Sequence, residues 1–495
     1  MARKQKKDKR RFYGTFTHSS DQSCFGELLI KGRRTRLSLS SGGELPLLYS
    51  AGTVLGQTLD GTYITCVDCV GSSQGSSMSG TYRYAHVFPH YVLVGEKHID
   101  PAAPIVRKIS FAVDDLSTIF YDFDAFGTMH NASGLIGKVL EPVMKRKAAE
   151  IGKWAHIGYF TGKLKVAEVE TVIGTITVSH RPSFDMGGPE GVHINNTMYV
   201  VIDFIDPLAF ECALDRVLSV SRFLSVVAGR VQGIDDIEIQ IEEDVRRKSY
   251  KPTRVHWSLG PKSANRTNPN HKPSPGDVPF HPLSRIEELG HVLANWIKHE
   301  PSRYIARNRY IACLKKSNRY GPDRIVAAAN MFDVMPLDAT PGKAALPDDL
   351  LKAQIEIIKI LESVERSDEQ NAAVAAIKRL GYPTLRRKVL HRARFVSEQM
   401  GASFPNLDEV LKLAIKCRNY FVHGATSGFK FDKIEPYISF LTDSLEFTFA
   451  ASELIEAGWD AAVWDQEFHG LGHSFARFKA GYREGLEIMQ KIGAL

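Results

Sequence analysis

Long apolar runs, paired cysteines and a strong excess of one charge are all missing from this 495-residue chain. No apolar stretch is long enough to cross a bilayer, and the basic N-terminal segment MARKQKKDKRRFYG lacks the apolar core of a secretory signal. Of the six cysteines only Cys66 and Cys69 are close together, and no second pair exists to complete a zinc ribbon. These absences predict a cytoplasmic protein with reduced thiols, no metal site and no membrane contact.

Charge and glycine patterns exclude other classes. The formal net charge of +7 permits nucleic-acid binding without requiring it. No glycine-rich loop follows a strand and opens a helix, which argues against an ATP-driven enzyme, and no cofactor is expected. With 43% hydrophobic residues the chain can bury more than one core, so two or three domains are expected.

The N-terminal half has the pattern of β-strands. Short segments rich in β-branched and aromatic residues, such as RTRLSLS and TYITCVDCV, are bounded by turn residues. We expect a basic arm at 1–11 and a β-rich domain at 12–250, either sandwich-like or a strongly curved antiparallel sheet. Two insertions, LIGKVLEPVMKRKAAEIGKW and DPLAFECALDRVLSVSRFLSVVAGR, have helical patterns, and the Ser/Gly-rich segment 71–80 is expected to be a loop.

The C-terminal half has the pattern of helices. Residues 251–282 are rich in Pro, Asn, Lys and Ser, which predicts a linker. Apolar residues then recur with helical spacing from 283 to 495. The fold class predicted is α+β and multidomain, a β-rich domain followed by an all-α bundle. Its helices are expected at 283–298, 303–317, 323–335, 347–364, 369–380, 384–400, 407–423, 434–457 and 474–491.

One of these helices carries the strongest chemical signal. In NLDEVLKLAIKCRNYFVHG, Asn406 and Glu409 match a capping box, and Gly424 is suited to a left-handed stop. The segment from Leu407 to His423 is therefore expected to be one helix.

The last turns of that helix carry a guanidinium, a carboxamide and an imidazole. Asn419 and His423 are four residues apart and share a face, and Arg418 flanks it. Attack of an RNA 2′-hydroxyl on the adjacent phosphorus needs a base, an acid and stabilisation of the charge on the phosphate. His423 can transfer protons, Arg418 can bind the phosphate as a bidentate fork, and Asn419 can orient either His423 or the phosphate. The expected product is a 2′,3′-cyclic phosphate.

Alternatives remain at each Arg-x4-His pair. Arg418 and His423 could simply bond the last carbonyls of their helix. Arg266 and His271 lie in the linker, which cannot hold a rigid site. A third pair belongs to a dense basic helix face in TLRRKVLHRARF, which either contacts RNA or is a solvated surface. The candidate RNA-binding residues on this face are Arg386, Arg387, His391 and Arg392.

The RNYFVHG segment resembles the Arg-Asn-x-x-x-His signature of HEPN ribonucleases, and the layout of the chain resembles the ApeA-like branch of bacterial anti-phage proteins. That resemblance implies a C-terminal helical HEPN domain, metal-independent RNA cleavage with tRNA among the targets, and a role in abortive infection. It also implies an active site formed between two HEPN domains, and hence a homodimer or higher homo-oligomer.

Two further expectations depend on the resemblance. An acidic residue on an earlier helix commonly supports the Arg/His pair, and the matching position here is Asp333, where ApeA-like proteins usually carry Glu. The N-terminal domain could sense a phage protein as the trigger. The competing function is a non-catalytic HEPN module that binds a nucleotide or a partner.

Overall fold

The computed structural model divides into two compact units, Met1–Ile297 and Lys298–Leu495. The first unit is rich in strands and the second is helical, which confirms the predicted fold class. Helix α5 (Ile286–Leu314) contains the point of division. The residues described are 10–17, 23–42, 50–78, 81–144, 150–185, 189, 191–245, 251–262, 272–424 and 431–494.

Strands dominate the first unit. Twelve of the described strands form one sheet, and β8 and β9 pair separately. In chain order the strands are β1 (Arg10–Thr17), β2 (Ser23–Ile30), β3 (Arg36–Ser41), β4 (Ser50–Thr58), β5 (Tyr63–Ser76), β6 (Arg83–Gly95), β7 (Val106–Val113), β8 (Phe126–Met129), β9 (Ile157–Phe160), β10 (Lys165–Thr171), β11 (Gly174–Asp185), β12 (His193–Leu208), β13 (Ile234–Ile241) and β14 (Thr253–Trp257).

The first six strands close into an antiparallel barrel. Their order is β6-β3-β2-β1-β4-β5, and β5 also pairs with β6, which joins the two ends. Because side chains alternate along each strand, one set points inward and packs a core that includes Phe16, Leu28, Leu37 and Ile64. The β-rich prediction is confirmed, whereas the sandwich-like form is wrong, because β6 pairs along both of its edges.

The sheet continues beyond the barrel. The second half of β6 pairs with β14, and β13, β7, β12, β11 and β10 follow in that order. Both insertions predicted to be helical contain helices, α2 (Ser133–Met144) and α3 (Phe210–Ala228). Helix α3 packs on β7 and ends at Gly229, whose φ of 66° is the left-handed conformation that glycine adopts readily. The short helices α1 (Leu116–Ile119) and α4 (Glu242–Val245) complete the unit.

Three boundary predictions in this unit differ from the structure. Strand β5 extends to Ser76 through the Ser/Gly-rich segment, because its backbone pairs with β6 whatever side chains it carries. Strand β14 lies inside the predicted linker 251–282, of which 263–271 are outside the described residues. Of the predicted basic arm, residues 1–9 are outside the described residues, and Arg10 begins β1.

Helices make up the second unit. Each predicted helix has a counterpart, except that 283–298 and 303–317 are one helix, α5, with Pro301 inside it. Across the described residues, no helix has both the length and the hydropathy needed to cross a membrane. The helices that follow α5 are α6 (Pro322–Asp333), α7 (Asp348–Glu362), α8 (Asp368–Lys378), α9 (Leu385–Met400), α10 (Leu407–His423), α11 (Phe431–Ile434), α12 (Ile438–Glu456), α13 (Ala461–Gln466) and α14 (Ser474–Lys491).

Helix α12 is the central element of this unit. It packs against α6, α9, α10 and α14. Its buried side chains include Leu441, Leu445, Phe449 and Leu454, so apolar residues cover more than one face, as expected of a helix with neighbours on several sides. The contacts with α6 and α10 fix the two helices that carry the candidate site.

A balanced set of charges is buried where α5, α9 and α12 meet. Glu453 is fully buried, and its carboxylate accepts hydrogen bonds from Arg303 at 2.9 Å, from Arg307 at 2.9 Å and from Arg392 at 3.0 Å. Burial opposes ionisation of Glu453, but these guanidinium groups hold its pKa below the ordinary value. The Arg/Glu cluster consists of Arg303, Arg307, Arg392, Glu300, Glu453 and Glu456.

Candidate functional site

Helix α10 begins at Leu407 and ends at His423, as the sequence predicts. Its start differs from the predicted capping box, because the Asn406 side chain makes no capping hydrogen bond and its backbone is left-handed, with φ of 57°. Its end is as expected for a glycine stop. Gly424 has φ of 84°, and its backbone N–H donates to the Tyr420 carbonyl at 3.0 Å.

The Arg418 guanidinium is held between two amide oxygens. Its Nη2 atom donates to Oδ1 of Asn330 on α6 at 2.9 Å, and its Nη1 atom donates to Oδ1 of Asn419 at 3.1 Å. The Nε atom is buried and has no hydrogen-bond partner within the described part of the chain. No carboxylate among the described residues pairs with Arg418, so its positive charge is positioned without being neutralised.

Sequence reasoning missed Asn330. It lies on α6 three residues before Asp333, partly buried, in the otherwise apolar stretch AAANMF. An amide in such a helical stretch is a signal that could have identified it, because buried polar side chains need partners. Here Asn330 sets the direction of the Arg418 fork.

Asp333 lies elsewhere on the same helix. Its side chain is exposed, with 3.5 Å between Oδ1 and the ammonium of Lys388 on α9, and Lys388 also donates to its backbone carbonyl at 2.6 Å. Among the described residues the structure does not bring Asp333 into contact with Arg418. The supporting role predicted for Asp333 therefore stays a prediction, and the residue of α6 that contacts Arg418 is Asn330.

His423 is exposed in the last turn of α10, and Asn419 is partly buried one turn before it. Aromatic rings pack beside this helix end. The Tyr420 ring stacks on Phe431 with 4.8 Å between centroids, and Phe421 meets Phe431 edge-on at 5.0 Å. These contacts fix the two helical residues between Asn419 and Val422 while the imidazole of His423 faces solvent.

The basic face predicted on α9 separates into exposed and buried parts. Arg386 is exposed, whereas Arg387 donates to the backbone carbonyls of Gly381 and Gly342 at 3.0 and 3.2 Å. His391 is partly buried, and burial, together with the adjacent Arg392 and Arg394 charges, lowers its pKa.

Arg392 is wrongly predicted as an RNA-binding residue. It is 1% exposed, and its guanidinium bonds Ser452, Glu453 and Glu456 of α12. It belongs to the Arg/Glu cluster and is inaccessible to a polyanion. Of the four residues proposed for this face, Arg386 is the one that combines exposure with a side chain in no ion pair among the described residues.

Comparison with known families matches the chain twice. Residues 11–296 match ApeA N-terminal domain 1, and residues 327–463 match the Apea-like HEPN domain. The chain belongs to the ApeA-like HEPN family. The HEPN match contains Asn330, Arg418 and His423, and the N-terminal match contains the barrel and the sheet that continues from it, so the resemblance read from the sequence is confirmed. Searches among curated proteins and among solved structures found no match.

Proposed function

We propose that this ApeA-like HEPN protein is a metal-independent endoribonuclease centred on Arg418 and His423. The observation that carries the proposal is the Arg418 guanidinium, which Asn330 and Asn419 orient and no carboxylate among the described residues neutralises. An oriented, unneutralised guanidinium matches the geometry and charge of a phosphodiester. The exposed His423 supplies a group that exchanges protons near neutral pH.

The chemistry assigns one role to each side chain. The RNA 2′-oxygen attacks phosphorus, the new O2′–P bond forms and the P–O5′ bond breaks. One imidazole accepts the 2′-hydroxyl proton, another proton is delivered to the departing 5′-oxygen, and Arg418 stabilises the charge on the non-bridging oxygens. Asn419 orients His423 or the phosphate. The products are a 2′,3′-cyclic phosphate and a 5′-hydroxyl.

Two imidazoles perform these proton transfers more readily than one. Each chain offers one His423, so we propose that a second copy contributes the other, in a symmetric homodimer or a higher homo-oligomer. The substrate must be RNA, because the reaction requires the 2′-hydroxyl. By family analogy we propose tRNA as the substrate and abortive infection as the setting, with the N-terminal domain responding to a phage protein.

The decisive experiment is cleavage of total tRNA by the purified full chain in EDTA. We expect His423→Ala and Arg418→Ala each to lower the rate by roughly 10²- to 10⁴-fold. Matched controls are His291→Ala on α5 and Arg366→Ala between α7 and α8, which remove exposed residues of the same types. Analysis of the product ends should find cyclic phosphate.

The same variants distinguish the competing function. Binding of RNA that depends on Arg418, without cleavage by a protein shown to be oligomeric and tested with phage lysate, would support a non-catalytic module. Wild-type cleavage by His423→Ala would overturn the proposed site. Equal cleavage by the full chain with and without phage proteins would count against a sensing role for the N-terminal domain.

A further inference from the structure

Helix α7 exposes an apolar seam. The α7 seam consists of Leu350, Ala353, Ile357, Ile360 and Val364, whose spacing of three and four residues is that of the a and d positions of a heptad. Leu350 is 42% exposed, Ile357 40%, Ile360 59% and Val364 54%. At 100° per residue these positions form one stripe along the helix, and Val364 lies just beyond its end.

Another side of α7 already has a neighbour in the chain. Helix α8 packs against α7, and the buried Gln354 amide donates to the Ile377 carbonyl at 2.7 Å. The charged residues Lys352, Glu356 and Lys359 are exposed and lie outside the seam. The helix therefore has a side that packs on α8, a charged side, and an apolar side that no described residue covers to the extent of a core.

We propose that the α7 seam is the docking surface for a second copy of this chain, helix against helix. Heptad spacing lets side chains of one helix insert between those of another. Because the seam places the small Ala353 between Leu350 and Ile357, an identical seam offers both the knob and the space that receives it. A closed two-fold pair would cover both seams at once.

The exposed area sets the strength of this association. A fully exposed aliphatic side chain offers about 100 Å² of apolar surface, so the measured exposures leave roughly 200 Å² on the seam of each copy. A stable interface buries about 800 Å² on each partner. The seam is thus the apolar centre of an interface whose rim lies on surrounding residues, and the association is expected to be reversible and concentration-dependent.

This inference rests on the proposed function only for its expectation of a second copy, and it is tested without measuring cleavage. Sedimentation velocity of the full chain over a hundredfold concentration range should show a monomer–dimer or higher equilibrium. The double variant Ile357→Glu/Ile360→Glu should shift the midpoint at least tenfold toward the monomer. Ile355→Glu is the matched control, because Ile355 is 49% exposed on the same helix but lies off the seam.

Each result decides the inference. A monomeric wild type at all concentrations overturns it, as does an oligomer that the double variant leaves intact or that Ile355→Glu disrupts equally. If the double variant loses its helical circular dichroism, Ala353→Cys provides the second test, since two-fold seams should cross-link through that thiol and a Lys352→Cys thiol should not. Association without tRNA cleavage would support the seam while refuting the nuclease proposal.

Discussion

The side-chain oxygen of Asn330 on α6 accepts a hydrogen bond from Arg418 on α10, across 88 residues of sequence and 2.9 Å of space. The contact joins two helices that both pack on α12. It makes the direction of the guanidinium depend on a residue that has no part in the proposed proton transfers. Asn330 is therefore a positioning residue.

Loss of Asn330 should reduce turnover more than binding. We expect Asn330→Ala to lower kcat for tRNA cleavage by roughly 10- to 100-fold, because a misplaced phosphate-binding group costs on that scale. The KM should change little, since the charge of Arg418 remains. Asn330→Asp keeps an acceptor atom and should retain more activity. Steady-state kinetics would test this, and wild-type kcat in Asn330→Ala would show that α6 does not orient Arg418.

The Arg/Glu cluster should be a major source of stability in the helical unit. We expect Glu453→Gln to lower the free energy of unfolding by about 3–5 kcal/mol, because it leaves buried guanidinium groups without their counter-charge. Glu362→Gln is the control. Its carboxylate pairs with Lys378 at 3.2 Å on the surface, and its loss should cost under about 1 kcal/mol. Urea denaturation followed by circular dichroism measures both, and equal effects would refute the assignment.

The acid sensitivity of the cluster follows from Glu456. Burial opposes its ionisation, but hydrogen bonds and charges from Arg303 and Arg392 lower its pKa from 4.5 to about 2. A carboxylate with a depressed pKa stabilises the fold above its ordinary pKa, and this stabilisation is lost as pH falls from about 4.5 toward 2. We expect Glu456→Gln to lower the melting temperature at pH 7, with the difference from wild type shrinking below pH 4.5. A difference independent of pH would contradict this.

Two arginines of α9 should respond differently to removal. Arg386→Ala should weaken RNA binding across sequences and reduce the salt dependence of log K by about one phosphate contact, without affecting stability. Arg392→Ala should destabilise the protein, because Glu453 and Glu456 lose a donor. Fluorescence anisotropy at several salt concentrations, with thermal unfolding in parallel, separates the two. Unchanged RNA affinity in Arg386→Ala would make that residue simply solvated.

Local rules predict local features of this chain well. The ends of α10 follow from its amphipathic pattern and from Gly424, which act within a few residues. Pairing between distant segments is not available to such rules. The Asn330 contact and the closure of the barrel by β5 and β6 both depend on tertiary structure.

Arg392 shows where the sequence held more information than charge alone reveals. It stands in a run of basic residues, which indicated a solvated or RNA-binding face. It is also three residues after Val389 and four before Val396, both fully buried, so helical spacing places it on the apolar side. The carboxylates that make its burial possible are 61 and 64 residues away, beyond the reach of pattern analysis.

The Arg/Glu cluster has a consequence for the order of folding. Its members come from three helices, and none of its charges can leave water favourably before the others are in place. A bundle with α12 undocked would leave Arg307 and Arg392 facing an apolar interior without Glu453. Partly assembled states of the helical unit are therefore penalised, and α5, α9 and α12 should dock in one kinetic step.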